Sequence, residues 1–127
     1  MKKDIAERAD VGLLVRTFYK RVRRDDLIGP VFNAVIPGHE WEAHFEKLTD
    51  FWESNLFFVH KYKGNPIRKH QEVDQNHGIS EDKFQRWLKL WRGTVDELFA
   101  GEMAEEAKSR AERIAQIMLV KLAHVGF

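Results

Sequence analysis

His70 closes the run Tyr62-Lys63-Gly64-Asn65-Pro66-Ile67-Arg68-Lys69-His70. Pro66 suits the first position of a short helix and Asn65 the cap before it. The imidazole of His70 therefore falls on a very short helix, with long, unusually aromatic helical segments on either side. Neutral imidazole is the commonest metal ligand among side chains. Held at a helix end beside a large apolar cavity, it is what a haem iron needs as an axial ligand.

The other histidines weigh differently. His39-Glu40-Trp41-Glu42-Ala43-His44 resembles a zinc-binding helix, but such helices place two His at i and i+4 with Glu directly after the first. Here the separation is five residues, or about 140° around the helix, so the two rings point apart and zinc is rejected. His44 shares a face with Leu48 and on its own reads as a core histidine bonded to backbone. Tyr19 alone reads as an amphipathic core residue with its hydroxyl at a rim, and Trp87 alone as a packing anchor. His60 and His124 lie near helix ends, where terminal carbonyls favour a cation. His77 sits in a polar loop. The charged clusters around Arg21–Arg24 and Glu105–Arg113 read as wet helix faces.

Composition narrows the class. With 127 residues, one domain over 1–127 is expected. Hydrophobic residues make up 43%, enough for a real core, yet nine Phe and four Trp exceed what a small bundle needs for packing. The core is either unusually aromatic or encloses something flat and large. A net charge of +1, from 21 basic and 20 acidic residues, gives no reason to expect nucleic acid or a membrane surface as partner. Cysteine is absent, which excludes disulfides, thiol catalysis, iron–sulfur ligation and a thioether-linked haem. No apolar run approaches the roughly 18–20 residues of a membrane span. Met1-Lys2-Lys3-Asp4 opens no signal-peptide core, so a cytoplasmic protein is expected.

Helical periodicity persists along the chain and β-type alternation does not, which predicts an all-α fold of four substantial helices and one short one. The first runs from Val11 to about Arg24, with Leu14, Phe18 and Val22 on one stripe and Tyr19 beside it. Asp25 to Phe32 reads as a capped break with one or two tight turns. Pro37-Gly38 precedes a second helix, about His39 to Phe58, whose apolar face runs Trp41, His44/Phe45, Leu48, Phe51/Trp52 and Asn55. The short helix of His70 follows. Ser80-Glu81-Asp82-Lys83 resembles a helix start, and Phe84, Trp87, Leu88, Trp91, Val95, Leu98 and Phe99 then keep near-ideal spacing. Gly101 ends that helix. The last runs from about Glu102 to His124, with Ala107, Ala111, Ile114, Met118, Leu122 and Val125 inward.

Taken together, these segments resemble the truncated haemoglobins, specifically group III. The matching residues are Phe18-Tyr19-Lys20-Arg21-Val22-Arg23 running into Asp26-Leu27-Ile28-Gly29-Pro30-Val31-Phe32. Trp41-x-x-His44, Asp50-Phe51-Trp52 and Tyr62-x-Gly64-Asn65-Pro66 with His70 follow. Phe84-x-Arg86-Trp87-Leu88-x-Leu90 and then Ala111, Ile114 and Ala115 complete the set. The likeness covers about residues 10 to 120. It implies a shortened globin in which helices pack two over two around haem b. His70 resembles the family's proximal iron ligand, and Tyr19 its distal tyrosine. His44 matches the position facing bound ligand, where it would donate to that ligand, gate access or itself ligate the iron. Leu48 would press on the ligand side, Trp87 would aim its indole N–H at the ligand, and Phe32 would pack on the porphyrin. Lys47, Lys69 and Tyr62, with Arg68 as a further candidate, suit the haem propionates. The stretch from His70 to Trp87 is a few residues longer than the family's usual connection, with the extra residues around Asp74–Gly78.

The function implied is reversible binding of O2 and other diatomic gases (CO, NO). O2 is expected to be held tightly through Tyr19 and Trp87, for redox chemistry, detoxification or sensing rather than bulk transport. The alternative is a haem enzyme, a nitric oxide dioxygenase or a peroxidase-like protein, drawing electrons from an external reductase. A third class, a helical interaction module with an aromatic docking face, predicts colourless protein and leaves the His44–His70 arrangement without a reason. A monomer is expected.

Overall fold

The computed structural model describes residues 2–57 and 81–126, with backbone alone for residues 35 and 118–126. The fold is all-α, as expected. Its helices are α1 (Arg8–Arg24), α2 (Gly29–Val35), α3 (Trp41–Phe57), α4 (Glu81–Leu98) and α5 (Glu102–Gly126), with a 3-10 turn at Gly38–Glu40. The described residues contain no strand. His70 and its expected short helix lie outside the described residues.

Helix α1 starts three residues before the expected Val11. The Asp10 carboxylate accepts the N–H groups of Ala6 and Glu7 and the Lys3 ammonium, so the first turn is closed by a polar residue that apolar spacing does not register. Burial would raise the Asp10 pKa, but Lys3 and the two backbone N–H groups outweigh it and hold the carboxyl below its ordinary value. The buried face carries Val11, Leu14, Val15, Phe18, Tyr19 and Val22, the stripe that the spacing gave.

The expected break after Asp25 contains a helix. Asp25 Oδ2 accepts the N–H groups of Leu27 and Ile28, each at 3.0 Å, and Pro30 suits the start of α2. Seven residues are too few to display a period, so this segment read as turns. Gly29 lets α2 cross close to the end of α1: a Cβ there would stand 2.8 Å from the Arg23 carbonyl oxygen.

Helix α3 starts at Trp41 rather than His39, which belongs to the 3-10 turn. Its buried stripe is Trp41, Phe45, Thr49, Trp52, Glu53 and Leu56. His44, Leu48, Phe51 and Asn55, expected on that face, lie one step around and are half-buried. Two polar residues hold the core positions by local bonding. Thr49 Oγ1 donates to the Phe45 carbonyl at 2.7 Å, and the Glu53 carboxylate accepts from Arg8 at 2.9 Å.

On α4 the residues Phe84, Trp87, Leu88, Trp91 and Val95 are buried, as expected. Gly101 does separate α4 from α5, at φ 143°, a conformation that L side chains rarely adopt. Along α5 the buried positions are Ala104, Ala107, Ala111 and Ala115. Small residues there admit the indoles of α4, and Trp91 Nε1 donates to the Ala107 carbonyl at 3.0 Å. Ile114 packs at the edge of the core; the side chains of Met118, Leu122 and Val125 are outside the described set.

Helix α1 packs on α3 and on α4, and α4 packs on α5. Two helix pairs, α1/α3 and α4/α5, thus meet through α1 and α4. Trp52 of α3 and Trp91 of α4 stack at the junction, with centroids 4.4 Å apart.

Candidate functional site

Tyr19, on the inner face of α1, has four aromatic neighbours drawn from three helices. Phe18 lies edge-on at 4.6 Å, Trp41 at 5.9 Å, Phe32 at 6.1 Å and His44 at 6.2 Å. Phe18 passes the contact on to Trp87 at 5.6 Å and to Trp91 at 4.9 Å, both edge-on. These arrangements match the ring quadrupoles, which favour edge-to-face over face-on sandwich contact.

The Tyr19 hydroxyl is buried, and burial pushes its pKa up to about 12, against a smaller opposing pull from the Trp87 indole N–H. The phenol therefore remains protonated at any physiological pH. Trp87 Nε1 and Trp41 Nε1 are buried without a hydrogen-bond partner among the described residues. Trp87 lies near enough to Tyr19 to influence its acidity, yet no hydrogen bond of ordinary geometry satisfies its N–H. An orphaned buried donor costs about 1–3 kcal/mol, so two of them beside one phenol mark a place where a polar ligand atom is welcome.

Asp25 and Arg86 set the spacing of this box. Arg86 Nη1 bonds Asp25 Oδ1 at 2.8 Å, which pins the α1–α2 connection, and with it Phe32, to the residue preceding Trp87. Burial would raise the Asp25 carboxyl, but the Ile28 N–H, Arg86 and the Leu27 N–H together hold it below the usual carboxylate range.

Four of the residues singled out in the sequence are thus brought together: Tyr19, Phe32, His44 and Trp87. Leu48 packs half-buried against the core one turn beyond His44, and Phe51 follows on the same face. Lys47 is exposed. His70, Tyr62, Lys69 and Arg68 lie outside the described residues. His39 is exposed in the 3-10 turn and His44 faces Tyr19, so the two rings do not converge. Sequence reasoning gave no site role to Trp41. It touches both Tyr19 and His44, the latter at 5.5 Å and 86°. Its spacing of three residues before His44 was the available signal.

A model of the bacterial-like globins matches residues 3–120. The chain is 32% identical to a group 3 truncated hemoglobin of Campylobacter jejuni, over 95% of this chain and 97% of that protein. The crystal structure of a group III truncated hemoglobin from Campylobacter jejuni superposes with a TM-score of 0.86 at 30% identity, covering 96% of this chain and 95% of that one. The fold is that of a truncated globin, and its class is the haem-binding globins. Within that class, the chain belongs to the group III truncated haemoglobins.

The described side chains fit the cofactor of that class. Phe32, Leu48 and Phe51 are half-buried apolar side chains at the edge of the core, and the Tyr19 hydroxyl and the Trp87 indole N–H are buried donors. Apolar lining with a few placed polar groups is what a flat macrocycle carrying a small ligand requires.

Proposed function

We propose that this chain is a haem b globin that binds O2 and other diatomic gases, with tight O2 binding for redox chemistry, detoxification or sensing. Haem iron, when bound, supplies reversible coordination of the gas and one-electron chemistry. Everything else is the work of side chains. His70 would hold the haem iron through a neutral ring nitrogen. Tyr19 and Trp87 donate hydrogen bonds on the ligand side, Leu48 fills the apolar remainder, and His44 gates access. Phe32 packs on the porphyrin, while Lys47, Lys69 and Tyr62 meet its propionates.

The observation that carries this reading is the buried Trp87 N–H, without a partner among the described residues, beside a phenol that stays protonated. Both can donate to an atom that gains negative charge on coordination, and each such bond is worth roughly 1.5–3 kcal/mol. Each donor therefore slows O2 release about ten- to a hundredfold. The test is the O2 dissociation rate of the Tyr19→Phe, Trp87→Phe double variant, which is expected to rise by at least a hundredfold. An unchanged rate would overturn the reading.

A further inference from the structure

Trp41 is 2% exposed, and its indole N–H has no partner among the described residues. Among the described residues no hydrogen bond fixes this ring, and ring and cation contacts hold it. On one side the guanidinium of Arg23, itself exposed, lies over the indole at 4.8 Å from the centroid. The other ring contacts are Tyr19 at 5.9 Å, Phe45 at 5.6 Å and His44 at 5.5 Å, the last almost perpendicular. Arg23 is in turn steadied by Asn33 of α2, its Nε donating to Asn33 Oδ1 at 3.4 Å while Asn33 Nδ2 donates to the Arg23 carbonyl at 3.0 Å.

We infer that Trp41 is a positioning residue for His44, and that Arg23 latches it from the surface. The inference rests on His44 gating access, as proposed above. The His44 ring meets Trp41 edge to face, so a swing of that ring toward Trp41 displaces the indole. Among the described contacts of the indole, Tyr19 and Phe45 are buried, His44 is half-buried and Arg23 is exposed, so the Arg23 cation is the contact most open to solvent. A cation–π contact at an exposed site is worth about 0.5–1 kcal/mol, which is about a two- to fivefold change in how often the indole is displaced. Loosening the latch raises the share of unliganded protein that admits a gas while the Tyr19 and Trp87 donors remain to hold it, so Arg23 governs how fast a gas arrives and not how long it stays.

The experiment is CO association and O2 dissociation on the haem-loaded full chain. It uses His44→Ala, Trp41→Phe, Arg23→Gln, Arg23→Lys and Asn33→Ala, with the Soret band and thermal melt recorded for each. Arg23→Gln is expected to speed CO association about two- to fivefold with O2 dissociation unchanged. Trp41→Phe, which thins the indole cover, speeds association further, and Arg23→Lys, which keeps the cation, stays near the parent rate. If His44→Ala alters association but Arg23→Gln and Trp41→Phe do not, the positioning role is wrong while the gate stands. If His44→Ala itself leaves association unchanged, the gate fails and the inference falls with it. Equal acceleration by Asn33→Ala and Arg23→Gln would assign the effect to loosening of α1 against α2, and would also overturn the latch.

Discussion

At the scale of single residues, Tyr19 makes the sharpest statement about solution behaviour. Its pKa is raised to about 12 by burial, whereas an unfolded tyrosine titrates near 10. For a raised pKa the sign is fixed: the contribution is fully present below about pH 10 and is lost as pH climbs toward 12, because the unfolded chain releases its proton first. Two pH units correspond to roughly 2–3 kcal/mol. Tyr19→Phe, which cannot ionise, should therefore melt with a shallower pH dependence between about pH 10 and 12; identical slopes for the two proteins would refute the buried phenol. Phe18 was legible as a core residue from helical spacing, whereas Tyr19, Phe32, His44 and Trp87 were singled out as a set only by the resemblance to the group III truncated haemoglobins. Trp41 was read only as a core and motif residue, because its role arises from Tyr19 and Arg23 of α1, which approach it through folding. Thr49 and Glu53 were misplaced for a different reason. Periodicity sorts residues by polarity, and these two are buried because their polar atoms are satisfied, by a carbonyl one turn back and by Arg8.

At the scale of elements, the connection between α1 and α3 matters most, since it carries Phe32 to Tyr19. Its helix was hidden from the sequence because Asp25, Gly29 and Pro30 are equally at home in tight turns. What converts them is tertiary: Asp25 caps the backbone of Leu27 and Ile28 while Arg86 reaches it from α4. Asp25→Ala should cost about 1–2 kcal/mol, the usual size for a lost cap plus a severed charged bond, and chemical denaturation measures it. Because the Asp25 pKa is held low, the stabilisation is present above the ordinary carboxylate range and fades as pH falls through the folded pKa. The difference between Asp25→Ala and the parent should accordingly shrink in acid. Gly29→Ala tests the close crossing. The added methyl meets backbone carbonyls of Arg23 and Val22, which cannot rotate away as a side chain would, so destabilisation of about 1–3 kcal/mol is expected by thermal melt.

At the scale of the whole molecule, the order of the long helices was legible because the apolar stripes of α1 and α4 are long and regular, while their two-over-two packing came as what the family resemblance implied. The lighter packing of α3 on α5 was not legible; a bond across it, from Arg110 Nη1 to Asn55 Oδ1 at 3.1 Å, joins two polar residues whose pairing apolar spacing does not register. The aromatic excess is in good part packing: Trp52, Trp91 and Phe18 are fully buried. Tyr19 and Trp87, also buried, are the pair proposed to serve a ligand. If the second group serves haem, the cofactor binds the folded state alone and must stabilise it by mass action. Adding stoichiometric haem should raise the melting temperature by several degrees and generate a Soret band. His70→Gly should lose the parent's axial coordination, as read from ferric and CO-bound spectra, and retained coordination would refute the ligand assignment.

The leading segment of the chain is more than a tail. Asp4 accepts the backbone N–H groups of Met103 and Ala104, partners 99 and 100 positions away, and the Lys3 carbonyl accepts from Ala100. The first turn of α5 is therefore finished by residues about a hundred positions earlier in the chain. On the ribosome that finishing piece emerges long before the helix it completes, and must wait in solution for it. Cutting away Lys3 and Asp4 to tidy an expression vector would be an edit to α5.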